Sequence, residues 1–156
     1  MADKRGVEAL YNLIDTLKTE IESNPFCNSV TIGELTEVDL RKQTIFPMAH
    51  ITLNDVTHSD NSLTFSITII NVDIVNVSKD ITQEYYGNDN LFYILTNQLY
   101  VINKLVSRLK DSNVSSYNWE LEGNPVSNVI NKELENMLAG FETTLSISIP
   151  NTINKC

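Results

Sequence analysis

Cysteine is scarce in this chain, with only Cys27 and Cys156 among 156 residues. Two thiols cannot build a disulfide framework and stand at no metal-binding spacing, which fits a reduced, intracellular-type setting. Glycine is scarce too: 5 residues, scattered too widely to compose a phosphate-cradling loop. G-x-S-x-G, H-E-x-x-H and C-x-x-C are absent. No apolar run approaches the ~20 residues of a membrane span. Met1-Ala2-Asp3-Lys4-Arg5 leads into an amphipathic stretch, unlike a signal-peptide core. Basic residues are also few, 11 against 20 acidic, leaving a net charge of −9. That balance argues against wrapping a nucleic-acid backbone, because neutralising phosphates takes Lys and Arg.

What is present belongs to an ordinary soluble domain. Hydrophobic residues are 42% and charged residues 20%, which excludes wholesale disorder. A length near ~150 residues suits one domain with a sizeable core, expected to span residues 1–156 with 150–156 as a flexible tail. The 19 Asn, and 8 Lys among the 11 basic residues, are a compositional bias that bears on source and carries no mechanism.

Val7, Leu10, Tyr11, Ile14, Leu17 and Ile21 recur in steps that place one apolar stripe on a helix over about 7–23, ended by Asn24-Pro25. Ser29–Gly33 alternates and predicts a strand. Glu34–Lys42 reads as a polar connection. Ile45–Leu53 alternates again, with the strand beginning near Pro47 or lying at an edge there. Asn54–Ser62 reads as a nine-residue polar loop. In the following strand, Leu63, Phe65, Ile67 and Ile69 share one face before Ile70, Val72 and Ile74 take the other phase. That switch predicts a bulge near Ile69-Ile70. The two strands form a long hairpin that projects beyond the sheet.

Gly87-Asn88-Asp89-Asn90 supplies a helix start, with Asn88 or Asp89 as N-cap. The helix, over about 89–110, carries Leu91, Phe92, Leu95, Leu99, Ile102, Leu105, Val106 and Leu109 on one stripe. Tyr93, Ile94, Tyr100 and Val101 widen the apolar surface beyond what one sheet face covers, which implies a second partner. Tyr117, Trp119 and Leu121 alternate as a strand. Val126–Leu138 is a long excursion with a short helix expected around Lys132–Leu138. Phe141–Ile149 is the cleanest half-buried strand, stopped by Pro150. The order α-β-β-β-α-β-β predicts an α+β fold: an antiparallel sheet of 4–5 strands with two helices on one face.

Candidate chemistry is thin. His50, Asp55, His58 and Asp60 are residue types that ligate zinc or manganese, but they read as a strand residue and solvated loop residues, so no metal is expected. Glu34, Glu37, Asp39 and Asp73 are carboxylates with nothing to order them around a pocket; Asp73 stands out between Val72 and Ile74. Cys27 has no neighbouring His or helix N-terminus to lower its pKa. Lys104, Arg108 and Lys110 read as the solvated C-terminal face of the second helix. No enzymatic activity and no cofactor are expected.

Three stretches carry a resemblance. They are Asn24-Pro25 through Asp39-Leu40 into Ile45-Phe46-Pro47-Met48-Ala49-His50, then Gly87-Asn88-Asp89-Asn90-Leu91. The third is Asn136-Met137-Leu138-Ala139-Gly140-Phe141 running into Leu145-Ser146-Ile147-Ser148-Ile149-Pro150. In this order they resemble the tail-terminator-like, head–tail connector (neck) ring proteins of tailed bacteriophages, including crAss-like and other Bacteroidetes phages. The resemblance spans nearly the whole chain. It implies a non-enzymatic virion protein in the neck or tail, present in host cytoplasm during assembly. It also implies a homo-oligomeric ring on the order of six or twelve copies, set against portal, connector or tail proteins, with DNA passing unbound and no membrane. An acidic lumen would repel DNA, in keeping with the net charge. On this reading Asp55, His58 and Asp60 face the lumen or a stacked ring, and Tyr93, Tyr100 and Val101 meet a neighbouring subunit. The alternative is a small dimeric α+β module that recognises a protein or peptide along a sheet edge.

Overall fold

A computed structural model describes residues 5–34, 46–75, 90–111, 119–133 and 138–150. The elements are α1 (Arg5–Glu22), β1 (Ser29–Ile32), β2 (Met48–His58), β3 (Ser62–Ile74), α2 (Leu91–Lys110), β4 (Glu120–Glu122), β5 (Ser127–Glu133) and β6 (Leu138–Pro150). The strands make one six-stranded sheet in the order β1-β2-β3-β6-β4, with β5 also on β6. The sheet is mixed. β1 runs parallel to β2, and the other pairings are antiparallel. The expectation of a purely antiparallel sheet of four or five strands is thus corrected in both direction and number.

Period-two alternation builds the core. Ala49 and Ile51 of β2, Phe65, Ile67 and Ile69 of β3, and Leu145, Ile147 and Ile149 of β6 form one apolar face. Both helices cover it, α1 with Leu13, Leu17 and Ile21, α2 with Val101, Ile102 and Leu105. Burying a side chain of this size contributes roughly 1.5–3 kcal/mol. Tyr11, placed on the α1 stripe by its spacing, is exposed, while Leu13 is fully buried. The buried arc centres on Leu13, Leu17 and Ile21, and at 100° per residue Tyr11 falls well to one side of it.

The predicted bulge at Ile69-Ile70 does not occur. Ile69 and Ile70 pair in unbroken register with Ile51 and His50, and the irregularity lies between Leu53 and Asp55. The change of phase in β3 has a different cause, because this end of the sheet is covered on both sides. Met48, Ile70, Val72, Ile130 and Leu138 form a second cluster on the far face. Towards the hairpin tip that face turns polar. There Asn54 Nδ2 donates to Thr68 Oγ1 at 2.7 Å, and the Thr68 and Thr144 hydroxyls lie 3.2 Å apart.

Asn54–His58 is strand, not loop, and the turn is confined to residues 59–61. Nor does the hairpin project alone, since β6 accompanies β3 from Ile74↔Leu138 to Ser62↔Pro150. The excursion after Pro125 contains β5, paired with β6; of the short helix expected around Lys132–Leu138, Lys132, Glu133 and Leu138 are strand, and residues 134–137 lie outside the described residues. Pro47 immediately precedes β2, where its missing N–H costs no ladder bond. The α2 N-cap is Asn90, without a side-chain cap bond. Asn88, Asp89, residues 35–45 and the 151–156 tail lie outside the described residues.

Candidate functional site

The helix α2 is where sequence and packing disagree most. Its buried side chains are Ile94, Gln98, Val101, Ile102 and Leu105, an arc set by 3.6 residues per turn. Phe92 (59%), Tyr93 (66%), Leu99 (49%) and Tyr100 (49%) remain exposed on the opposite side. At about half exposure these four present roughly 400 Å² of largely apolar surface, within the size range of the largest patch on a monomer, which is often functional. Phe26, in the turn after α1, stands edge-on to Tyr100 with ring centroids 5.7 Å apart and extends the patch.

Tyr93 and Tyr100 are therefore surface residues, as expected of an interface. Val101 belongs to the core at 3% exposure and offers no surface to a neighbour. The expectation that Val101 meets a neighbouring subunit is corrected by its burial; Phe92 and Leu99, by contrast, are exposed. Both were assigned to the buried stripe because a stripe read from hydropathy cannot tell its centre from its flanks. Phe26 was missed altogether, since nothing in the local sequence links it to a residue 74 positions later.

Charge on α2 is one-sided. The helix contains Lys104, Arg108 and Lys110 and no Asp or Glu. Arg108 Nη2 sits 3.1 Å from Glu20 Oε1 of α1. Lys104 and Lys110 are exposed and pair with no described acid.

Asp55, His58 and Asp60 are all exposed, the first two on β2 and the third in the turn. They do not converge. Asp55 opposes Ser66 and His58 opposes Leu63, positions of opposite parity on β3, so the two side chains leave opposite faces. His50 lies eight residues before His58, roughly 26 Å along a strand. It is buried, with Nδ1 2.7 Å from Thr31 Oγ1 and Nε2 2.9 Å from the Gly33 carbonyl. A carbonyl only accepts, so Nε2 carries the proton and Nδ1 accepts from Thr31. His50 thereby clamps β1 onto β2. Among the described residues no three His, Cys, Asp or Glu gather as a metal site.

Burial pushes the Cys27 thiol above its ordinary value, against a smaller opposing pull from backbone hydrogen bonding at Ser29 and Ala49. Asp73 is raised in the same way, by desolvation, while the Ile74 N–H donating to Oδ1 at 2.8 Å opposes the shift. Glu34 is exposed, and Glu37, Asp39 and Cys156 lie outside the described residues.

Neither protein-family models nor curated proteins give a match to this chain. A broad aromatic and aliphatic patch lies on the same helix as Lys104 and Lys110, which pair with no described acid. Among the described residues no helix is long and apolar enough to cross a membrane.

Proposed function

We propose that this protein is a structural subunit that associates with copies of itself into a ring, of the kind found at the head–tail junction or tail end of tailed bacteriophages. The observation that carries this reading is the exposed row Phe92, Tyr93, Leu99 and Tyr100 on α2. Side chains of that size on a helix already anchored through Ile94, Val101, Ile102 and Leu105 are favourable to cover, because apolar burial drives association. The overall acidity suits a channel that lets DNA pass without holding it. Asp55 and Asp60, exposed near the hairpin tip, are the residues we assign to the lumen or to a stacked ring.

Sedimentation velocity over a wide concentration range, with electron microscopy of the largest species, tests the reading. Ring-shaped oligomers are expected, and replacing Tyr93 and Tyr100 with Ser should dissolve them without changing the melting temperature. A wild-type chain that stays monomeric up to about 1 mM, with no closed particle, overturns it; Kd values in that range mark the weak end of specific association. In assembled particles, Asp55→Lys with Asp60→Lys should impair assembly or DNA passage, and normal particles would remove the lumen assignment.

A second reading is favoured by one feature of the sheet. β1 pairs with β2 only from Met48 to Ile51, so the outer edge of Leu53–His58 has no partner among the described residues. A dimeric binding module could add a peptide strand there. An extended peptide that protects the amides of that edge from hydrogen exchange would support this alternative over the ring.

A further inference from the structure

Asn24, Asn71 and Gln98 are buried polar side chains, each at most 2% exposed. Asn24 lies in the turn after α1, Gln98 on α2 and Asn71 on β3. One chain of hydrogen bonds joins them. Asn24 Oδ1 accepts from the Phe26 N–H at 3.0 Å. The Phe26 carbonyl accepts from Gln98 Nε2 at 3.4 Å. Gln98 Oε1 accepts from Asn71 Nδ2 at 3.2 Å, and the same nitrogen donates to the Gln98 carbonyl at 2.7 Å. The chain therefore passes through the backbone of Phe26, whose ring stands edge-on to Tyr100 at the surface.

Both ends of this chain are incomplete. Asn24 Nδ2 and Asn71 Oδ1 are buried, and neither has a hydrogen-bond partner among the described residues. Turning the amides round does not cure this. A reversed Asn71 would set its oxygen against two acceptors, the Gln98 carbonyl and Oε1. A reversed Asn24 would set its NH2 against the Phe26 N–H, donor against donor. The orientations are thus fixed by their partners, which leaves one bare donor and one bare acceptor. A buried polar group left so forfeits its hydration with nothing in return, and native interiors rarely keep one. A cation would serve only the acceptor and an anion only the donor. Water accepts and donates, and internal water characteristically binds otherwise unsatisfied buried groups.

We infer that internal water completes the chain at both ends, accepting from Asn24 Nδ2 and donating to Asn71 Oδ1. The hydrated chain ties the turn after α1 through α2 to β3 and holds the backbone of Phe26 in place beneath its exposed ring. It belongs to the single folded chain and is independent of self-assembly.

Water-selective NOE and ROE spectra of the isotope-labelled full chain test the inference. Water should give cross-peaks to the side-chain amide protons of both Asn24 and Asn71, of opposite sign in the two spectra. That reversal marks a held molecule, whereas proton exchange gives the same sign in both. Oxygen-17 relaxation dispersion of the solvent supplies a second readout. Asn71→Leu replaces the acceptor with an apolar side chain of similar size, and the contribution of long-lived water should fall by about one molecule's share. Lack of the water contact at either end, or an unchanged dispersion in a folded Asn71→Leu chain, overturns the inference. Should that variant fail to fold, the wild-type spectra alone decide.

Discussion

The carbonyl oxygen of Asn71 occupies the space in which a Cβ on Gly140 would stand. The contact is backbone to backbone between β3 and β6, where Val72 opposes Gly140 and Asn71 opposes Phe141. Strand β5 holds β6 from the other side, with Ile130 opposite Gly140, so β6 cannot shift away. Asn71 is itself fixed, its side-chain amide donating to the Gln98 carbonyl of α2 at 2.7 Å.

Gly140→Ala is therefore expected to destabilise the protein by about 3 kcal/mol, the upper range for an overpacked core. Gly123 gives the contrast. It has open space around it but φ +66°, so Gly123→Ala should cost only the left-handed penalty of about 1–2 kcal/mol. Urea denaturation of both variants checks the order, and equal losses would contradict it.

His50 joins β1 to β2 through Thr31 and the Gly33 carbonyl. His50→Ala removes a buried ring and takes away the partner of the Thr31 hydroxyl, while the Gly33 carbonyl keeps the Thr52 hydroxyl, for an expected loss of about 2–4 kcal/mol. Nitrogen NMR of the imidazole should show the proton on Nε2, and zinc should leave the melting temperature unchanged. A zinc-dependent rise would mean that these residues do come together around a metal.

Much of the sheet was readable from alternation alone. β6 alternates Phe141, Thr143, Leu145, Ile147 and Ile149 inward, each buried, with less buried residues between them, and its end at Pro150 followed, while its start at Leu138 lies three residues before the alternation begins. Three features left no such trace. The end of β2, Asn54–His58, is exposed apart from Val56 and mostly polar, so it read as a loop. β5 has one buried described residue, Ile130, too few to show a period. The parallel sense of β1 depends on a distant pairing, Ser29↔Met48 through Ile32↔Ile51, which four residues cannot encode. The phase change in β3 was seen correctly but assigned to a bulge, because a strand buried on both faces also loses its alternation. On α2, excess apolar surface was legible, whereas the side that it occupies required the packed neighbours.

Cys27 is buried, and its thiol donates to the Ser29 carbonyl at 3.3 Å. Burial holds the thiolate down, and the thiolate is the reactive form. Iodoacetamide treatment of the native protein at pH 7.5, about one unit below the reference thiol value, followed by peptide mapping, should leave Cys27 unmodified until urea unfolds the chain. Rapid labelling in the folded state would show that the turn after α1 opens readily.

Asp73 makes stability depend on pH with a definite sign. Desolvation raises its folded-state pKa above the unfolded value, so the folded chain binds the proton more tightly. The cost of the charged form is absent below the ordinary carboxylate range and complete above the folded value, so stability falls as pH rises through that window. Asp73→Asn removes the charge and keeps an oxygen for the Ile74 N–H, now bonded at 2.8 Å. The variant should be more stable than wild type at about pH 7 and lose that advantage below about pH 3.5, under the reference Asp value. Urea midpoints measured across that range decide it. An advantage that persists at low pH would trace the gain to packing, and a wild type that gains stability on ionisation would reverse the assigned cause.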